Sequence, residues 1–147
     1  MGAIALFGGA HLINKRVAFL IPFTALLLSD LLLGLHELIP YVYGSFALTV
    51  TLGFWIRRKP QWHRIVWGSV LSTALFFLIT NFGNWACFDT YPRTPAGLLE
   101  CYAAGIPFLR NGLLGDLLYT GLLFGAWKAS EKRMNWLRES GIEASAA

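Results

Sequence analysis

Apolar runs close to the length needed to cross a bilayer follow one another along most of the chain, each ending at a basic cluster or an aromatic pair. A spanning helix needs about 20 mostly apolar residues, and about 17 suffice. Residues 17–35, 41–56, 65–87 and 112–127 meet or approach that length, while 1–13 falls short of it. Pro22 lies in the first turns of the second run, where a proline is tolerated. Charged residues make up 14% of the chain, against roughly 25% in an average soluble domain. So few charges cannot cover a water-facing surface. The pattern predicts an all-α, polytopic transmembrane helix bundle over 1–128, followed by a charged tail over 129–147.

A further apolar stretch, 96–109, has only 14 residues, carries Glu100 and is closed by Pro107 and Arg110. Its length predicts a short re-entrant or interfacial helix. Charge placement bears on that choice. If the stretch does not cross, the clusters at 14–16, 57–64 and 128–138 share one face with ten basic residues, leaving Arg93 and Arg110 opposite. If it crosses, the split is seven against five. The positive-inside bias favours the first arrangement: five spans, Met1 outside and the C-terminus cytoplasmic. Because the basic residues sit at the ends of apolar runs, the net charge of +4 does not form a nucleic-acid-binding stripe.

Small residues recur at four-residue spacing: Ala5 and Gly9; Ser45, Thr49 and Gly53; Gly68 and Ser72; Gly121 and Gly125. Such faces let backbones approach closely where lipid removes the hydrophobic incentive to associate.

Polar groups at membrane depth are expensive and mark partners or cavities. Asp30 lies 13 residues beyond Val17, or about 20 Å at a rise of about 1.5 Å per residue. Asn81 and Asn84 lie 16 and 19 residues beyond Ile65, and Asp116 is the fifth residue of the last run. In the five-span topology these four share a layer near the outer face, with Arg110 and Asn111 just above. Trp85, Cys87, Tyr91, Tyr102, His36, Tyr41 and Tyr43 cap it. Aromatic walls around a few convergent polar groups are the usual form of a small-ligand pocket. Asp30, Asn81, Asn84, Trp85, Tyr91, Arg110, Asn111 and Asp116 are therefore candidate ligand-binding residues. The structural alternative has the two aspartates capping broken helices or pairing with Arg110. Both stand in a Leu-Leu-x-Asp-Leu-Leu context, at 27–32 and 113–118, which hints at matching roles.

Cys87 and Cys101 flank an outer loop, 88–97, where they could form a disulfide; alternatively Cys87 could coordinate a metal-bearing ligand. Two cysteines are too few for a zinc framework. His11, His36 and His63 show no ligand spacing, and the sequence has no nucleophile–base pair, phosphate loop or metal motif. Neither enzymatic activity nor a resident cofactor or metal is expected, and nothing in the chain hydrolyses ATP.

Six segments carry a resemblance. They are Ala-Ile-Ala-Leu-Phe-Gly-Gly-Ala at 3–10, Ala-Leu-Leu-Leu-Ser-Asp-Leu-Leu-Leu-Gly at 25–34 and Ile-Thr-Asn-Phe-Gly at 79–83. The others are Tyr-Pro-Arg-Thr-Pro-Ala-Gly at 91–97, Gly-Ile-Pro-Phe-Leu-Arg-Asn at 105–111 and Leu-Gly-Asp-Leu-Leu-Tyr at 114–119. Together they resemble a family of small bacterial membrane proteins described as transport proteins. That family is similar to the substrate-binding S components of energy-coupling factor (ECF) vitamin transporters. The resemblance covers about 3–125 and implies a substrate-binding integral membrane subunit for uptake of a small vitamin-like molecule, in the bacterial inner membrane. Its partners would be the lipid bilayer, the small-molecule substrate and an ECF-type energising module, docked on small faces such as Ala5/Gly9. Relatives carry an upstream hydrophobic helix and a Pro-Asn-Phe-Thr-Pro-like loop before the first segment; here both are absent. Restoring that helix would give six spans with both ends inside, the S-component arrangement. Some cobalamin-binding relatives use a cysteine to bind cobalt, which makes Cys87 a candidate for that role. Two other readings stay open: a membrane enzyme or ligand-modifying protein using Cys87, and a structural or assembly protein whose aspartates brace helices.

Overall fold

Local capping chemistry sets most of the helix boundaries. The computed structural model describes residues 2–12, 14–34 and 37–145, with only the backbone for Leu33 and 136–145. His36, expected in the aromatic cap, lies outside the described residues. Helix α1 (Gly2–His11) is followed by α2 (Lys15–Leu33), whose N-cap Asn14 accepts the Arg16 backbone N–H at 3.0 Å. α2 ends at Gly34, where φ is +100°, a conformation that favours glycine. α3 (Ile39–Arg57) carries Pro40 in its first turn, the position a proline tolerates best. α4 (Trp62–Cys87) follows a Pro60–Gln61 break. α5 (Pro95–Ser145) opens with the Thr94 hydroxyl accepting the Gly97 N–H at 3.1 Å. No strand occurs among the described residues.

The packing is inverted relative to a soluble domain. Ser45, Thr49, Ser69, Ser72, Thr73 and Thr120 are all buried, whereas Leu20, Leu31, Leu32, Trp67 and Leu118 are each more than 60% exposed. In water the hydrophobic effect selects the opposite arrangement. Small and hydroxyl-bearing residues at helix contacts, with large apolar ones outside, are the habit of helices packing in lipid. The buried hydroxyls cost little because they are bonded: Ser45, Thr49, Ser72 and Thr73 donate to carbonyls of their own helix, and Thr120 donates to the Ser69 hydroxyl across the α4–α5 contact at 3.2 Å.

Among the described residues, two helices, α3 and α4, are long and apolar enough by themselves to cross a membrane, rather than the five expected. α1 has only 10 residues, and α2 and α5 carry charged residues within their length. The stretch 96–109 is also not a separate re-entrant helix: it is the beginning of α5, one helix of 51 residues that passes straight through Pro107. A proline removes one backbone donor and crowds the preceding turn, but membrane helices absorb such defects. The same helix continues beyond residue 128, so the charged tail is helical as far as Ser145.

α1 packs against all four other helices, most extensively α3. Gly9 and Gly53 face each other across that crossing: a Cβ on Gly9 would strike the Val50 carbonyl and stand 2.9 Å from the Gly53 Cα. Ala5 is fully buried in the same seam. The Ala5/Gly9 face is therefore used inside the bundle, which corrects its assignment as a docking surface for a partner. Gly121 and Gly125 share the spacing but meet nothing within 4 Å at their Cβ positions.

Three of the basic regions gather at one end. The Arg57 guanidinium donates to the Leu12 carbonyl at 3.1 Å, which brings the end of α3 to the α1–α2 turn. His11 lies beside Trp127, at 4.9 Å between ring centroids, so the Lys128 region of α5 lies at this end as well. The Arg64 guanidinium sits 4.8 Å over the Trp55 ring on the adjoining α3–α4 turn. The 37–38 turn and the 88–94 connection, with Arg93, lie at the opposite end.

Candidate functional site

A cavity of about 350 Å³ lies among α1, α3, α4 and α5, with Gly2 at its floor. Its walls are Phe46 and Thr49 from α3, the α4 face from Ser72 to Asn81, and the α5 face from Phe108 to Tyr119. A second cavity of about 350 Å³ adjoins it toward the 88–94 end, sharing Thr80, Asn81 and Phe108 and reaching Asn84, Tyr91 and Cys101. Both volumes fall in the ~300–1,000 Å³ range of small-ligand pockets.

Asp116 closes the floor. One carboxylate oxygen accepts the Ala3 backbone N–H at 3.3 Å, and the other accepts the Thr73 hydroxyl at 2.9 Å. The first amides of a helix have no partner within the helix, and its N-terminus carries partial positive charge, so a carboxylate there satisfies both needs. Of the alternatives for this residue, helix capping is what the structure contains. It contains no pairing with Arg110: among the described residues the one ion pair is Arg93–Asp89, on the surface.

Asp30 is placed elsewhere. It is 9% exposed on α2, its Oδ2 finds no hydrogen-bond partner, and its polar neighbour is Tyr43 of α3. It lines neither cavity. Asn81, Asn84 and Tyr91 do line cavities, but Asp116 meets Thr73, eight residues before Asn81 on α4, which is about 12 Å deeper. The expected polar layer is therefore a polar column along α4 and α5, with Asp30 to one side. Trp85 donates to the Pro92 carbonyl at 2.9 Å and holds the α4–α5 turn. Arg110 and Asn111 are exposed on the outer side of α5 and reach no cavity.

Neither cysteine is in a disulfide. Cys101 is buried between α4 and α5, where its sulfur accepts from the Asn84 amide at 3.8 Å and its S–H donates to the Asn81 carbonyl at 3.4 Å. Cys87, at the end of α4, is half-buried beside Tyr41 and lines neither cavity. No group of three metal-ligating side chains occurs among the described residues, Cys87 included.

The aromatic walls, Phe46, Phe76, Phe77, Phe108 and Tyr119, were not anticipated from the sequence, nor were Thr73 and Gly2. A signal for them exists. Ser69, Ser72, Thr73, Thr80, Asn81 and Asn84 fall on one face of α4, with a gap of seven residues between Thr73 and Thr80, and Gly112, Gly115, Asp116 and Tyr119 fall on one face of α5. A polar or small stripe inside an otherwise apolar helix identifies the side turned away from lipid.

Nothing among curated proteins or solved structures matches the chain. A family model does match it over residues 1–139, so nearly the whole bundle shown here is the shared unit. By that match, the chain belongs to the family of unknown function DUF6580.

Proposed function

We propose that this is a multi-pass membrane protein that binds a small molecule in the cavity above α1, as the substrate-binding subunit of an uptake system. The observation that carries the proposal is the cavity itself: aromatic walls and a few convergent polar groups, among them Asp116, which also accepts the Ala3 N–H. In this reading α1 and its neighbours stand within the bilayer of a bacterial inner membrane. The end carrying Lys15, Arg57 and Lys128 faces the cytoplasm, as the positive-inside bias requires. The cavity then opens through Asn84 and Tyr91 toward the outer face, and the driving energy comes from a separate module of the energy-coupling factor type.

Filling the cavity tests the proposal. Gly115 lines it, and a Cβ there meets nothing within 4 Å, so Gly115→Phe puts a ring into empty space without striking backbone. Native mass spectrometry of gently purified wild-type protein is expected to show a retained small molecule, and the Gly115→Phe spectrum is expected to lack it. A molecule retained equally by both proteins would place binding elsewhere and overturn the assignment of the cavity.

A further inference from the structure

Resting on that reading, we infer that the ligand is a small organic cation, an amine with an aromatic or aliphatic body, whose charged nitrogen sits against Asp116. The hydrogens of the lining decide this. Thr49, Ser72 and Thr80 each spend their one hydroxyl hydrogen on a backbone carbonyl of their own helix, at 3.0, 3.1 and 2.7 Å. What they turn to the cavity is lone pairs. Thr73 has one hydrogen and two acceptors in reach, the Ser69 carbonyl at 3.1 Å and Asp116 Oδ2 at 2.9 Å, so the carboxylate is not fully supplied. Asn81 gives one amide hydrogen to the Phe77 carbonyl at 2.9 Å. Among the described residues, its second amide hydrogen and the Tyr119 hydroxyl are the side-chain donors left in the lining, and no Lys, Arg or His forms part of it.

Among the described residues, such a surface is short of donors and carries an acidic group with no basic partner. An anionic ligand would meet Asp116 and lone pairs; a neutral acceptor would find few hydrogens. An ammonium brings up to three donors and the opposite charge. The walls favour the same ligand, because the faces of Phe and Tyr attract cations through the ring quadrupole. Phe76, Phe77, Phe108 and Tyr119 supply four rings around the column that rises from Asp116.

Three probes sharing one indole frame isolate the charge: tryptamine, its alcohol tryptophol, and indole-3-propionate. Isothermal titration calorimetry on the full chain in detergent is expected to give tryptamine at least about tenfold tighter than tryptophol, with the acid weakest. Asp116→Asn is expected to remove the gap between amine and alcohol. The wild-type series stands without that variant should its loss of charge unsettle α1. Tryptophol or the acid binding as tightly as the amine would overturn the cationic preference while leaving the cavity a ligand site. Binding by none of the three overturns the inference. If the native mass spectrum also shows no retained molecule, the proposed function falls with it. A gap that survives in a folded Asp116→Asn protein would contradict the role given to the carboxylate.

Discussion

Gly9→Leu is expected to leave little folded protein. The neighbours of a new Cβ at this position are backbone atoms, the Val50 carbonyl and the Gly53 Cα, which cannot rotate aside as a side chain would. Relief would require α1 and α3 to move apart along a seam that also buries Ala5, Ser45 and Val50 completely. Overpacking of a tight core costs about 1–3 kcal/mol where side chains can adjust; with backbone on both sides we expect the upper end or beyond. Gly125→Leu is the matched control, because its Cβ would meet nothing within 4 Å. Monodispersity on size exclusion in mild detergent, with thermal unfolding, measures both. Equal behaviour of the two variants would contradict the packing described.

Asp116→Leu is expected to destabilise the protein by about 2 kcal/mol, and Asp116→Asn by clearly less. The leucine leaves the Ala3 N–H at the floor of the cavity without the acceptor it has now. A buried donor stripped of its partner costs about 1–3 kcal/mol. Asparagine keeps an oxygen that can accept from Ala3 and gives up only the charge, which interacts with the α1 dipole by about 0.3–1 kcal/mol. Thr73 loses less in either case, since its hydroxyl also reaches the Ser69 carbonyl at 3.1 Å. Thermal unfolding of the three proteins in one detergent checks the order; a leucine variant as stable as wild type would mean that Asp116 does not brace α1.

These two positions also show how far the sequence could be read. Spacing made Gly9 and Gly53 candidates for close helix contact, and they are in contact. The same spacing at Gly121 and Gly125 faces open space, because periodicity gives the face of a helix but not what stands opposite. Asp116 was legible as a costly polar group, with a ligand role and a capping role both open; the capping is seen, and the cavity beside it keeps the ligand role in play. Asp30 has the same local sequence yet faces Tyr43, since depth and rotation depend on how α2 leans on α3. The break expected near Pro107 and Arg110 does not occur, because Arg110 lies on the exposed side of α5 and the proline is absorbed in a helix already held by α4.

The central claim is that large apolar side chains face lipid while the polar stripe of α4 and α5 faces a water-filled chamber. Bimane fluorescence tests it most directly, on single cysteines placed at Leu118 and at Thr80 with Cys87 and Cys101 replaced by alanine. Leu118 is 62% exposed on the outside, and Thr80 lines both cavities. In liposomes, the label at 118 is expected to be quenched by brominated lipid and not by iodide, and the label at 80 by iodide and not by brominated lipid. Iodide quenching of both labels would contradict a bilayer on the outside, and lipid quenching of both would contradict the chamber.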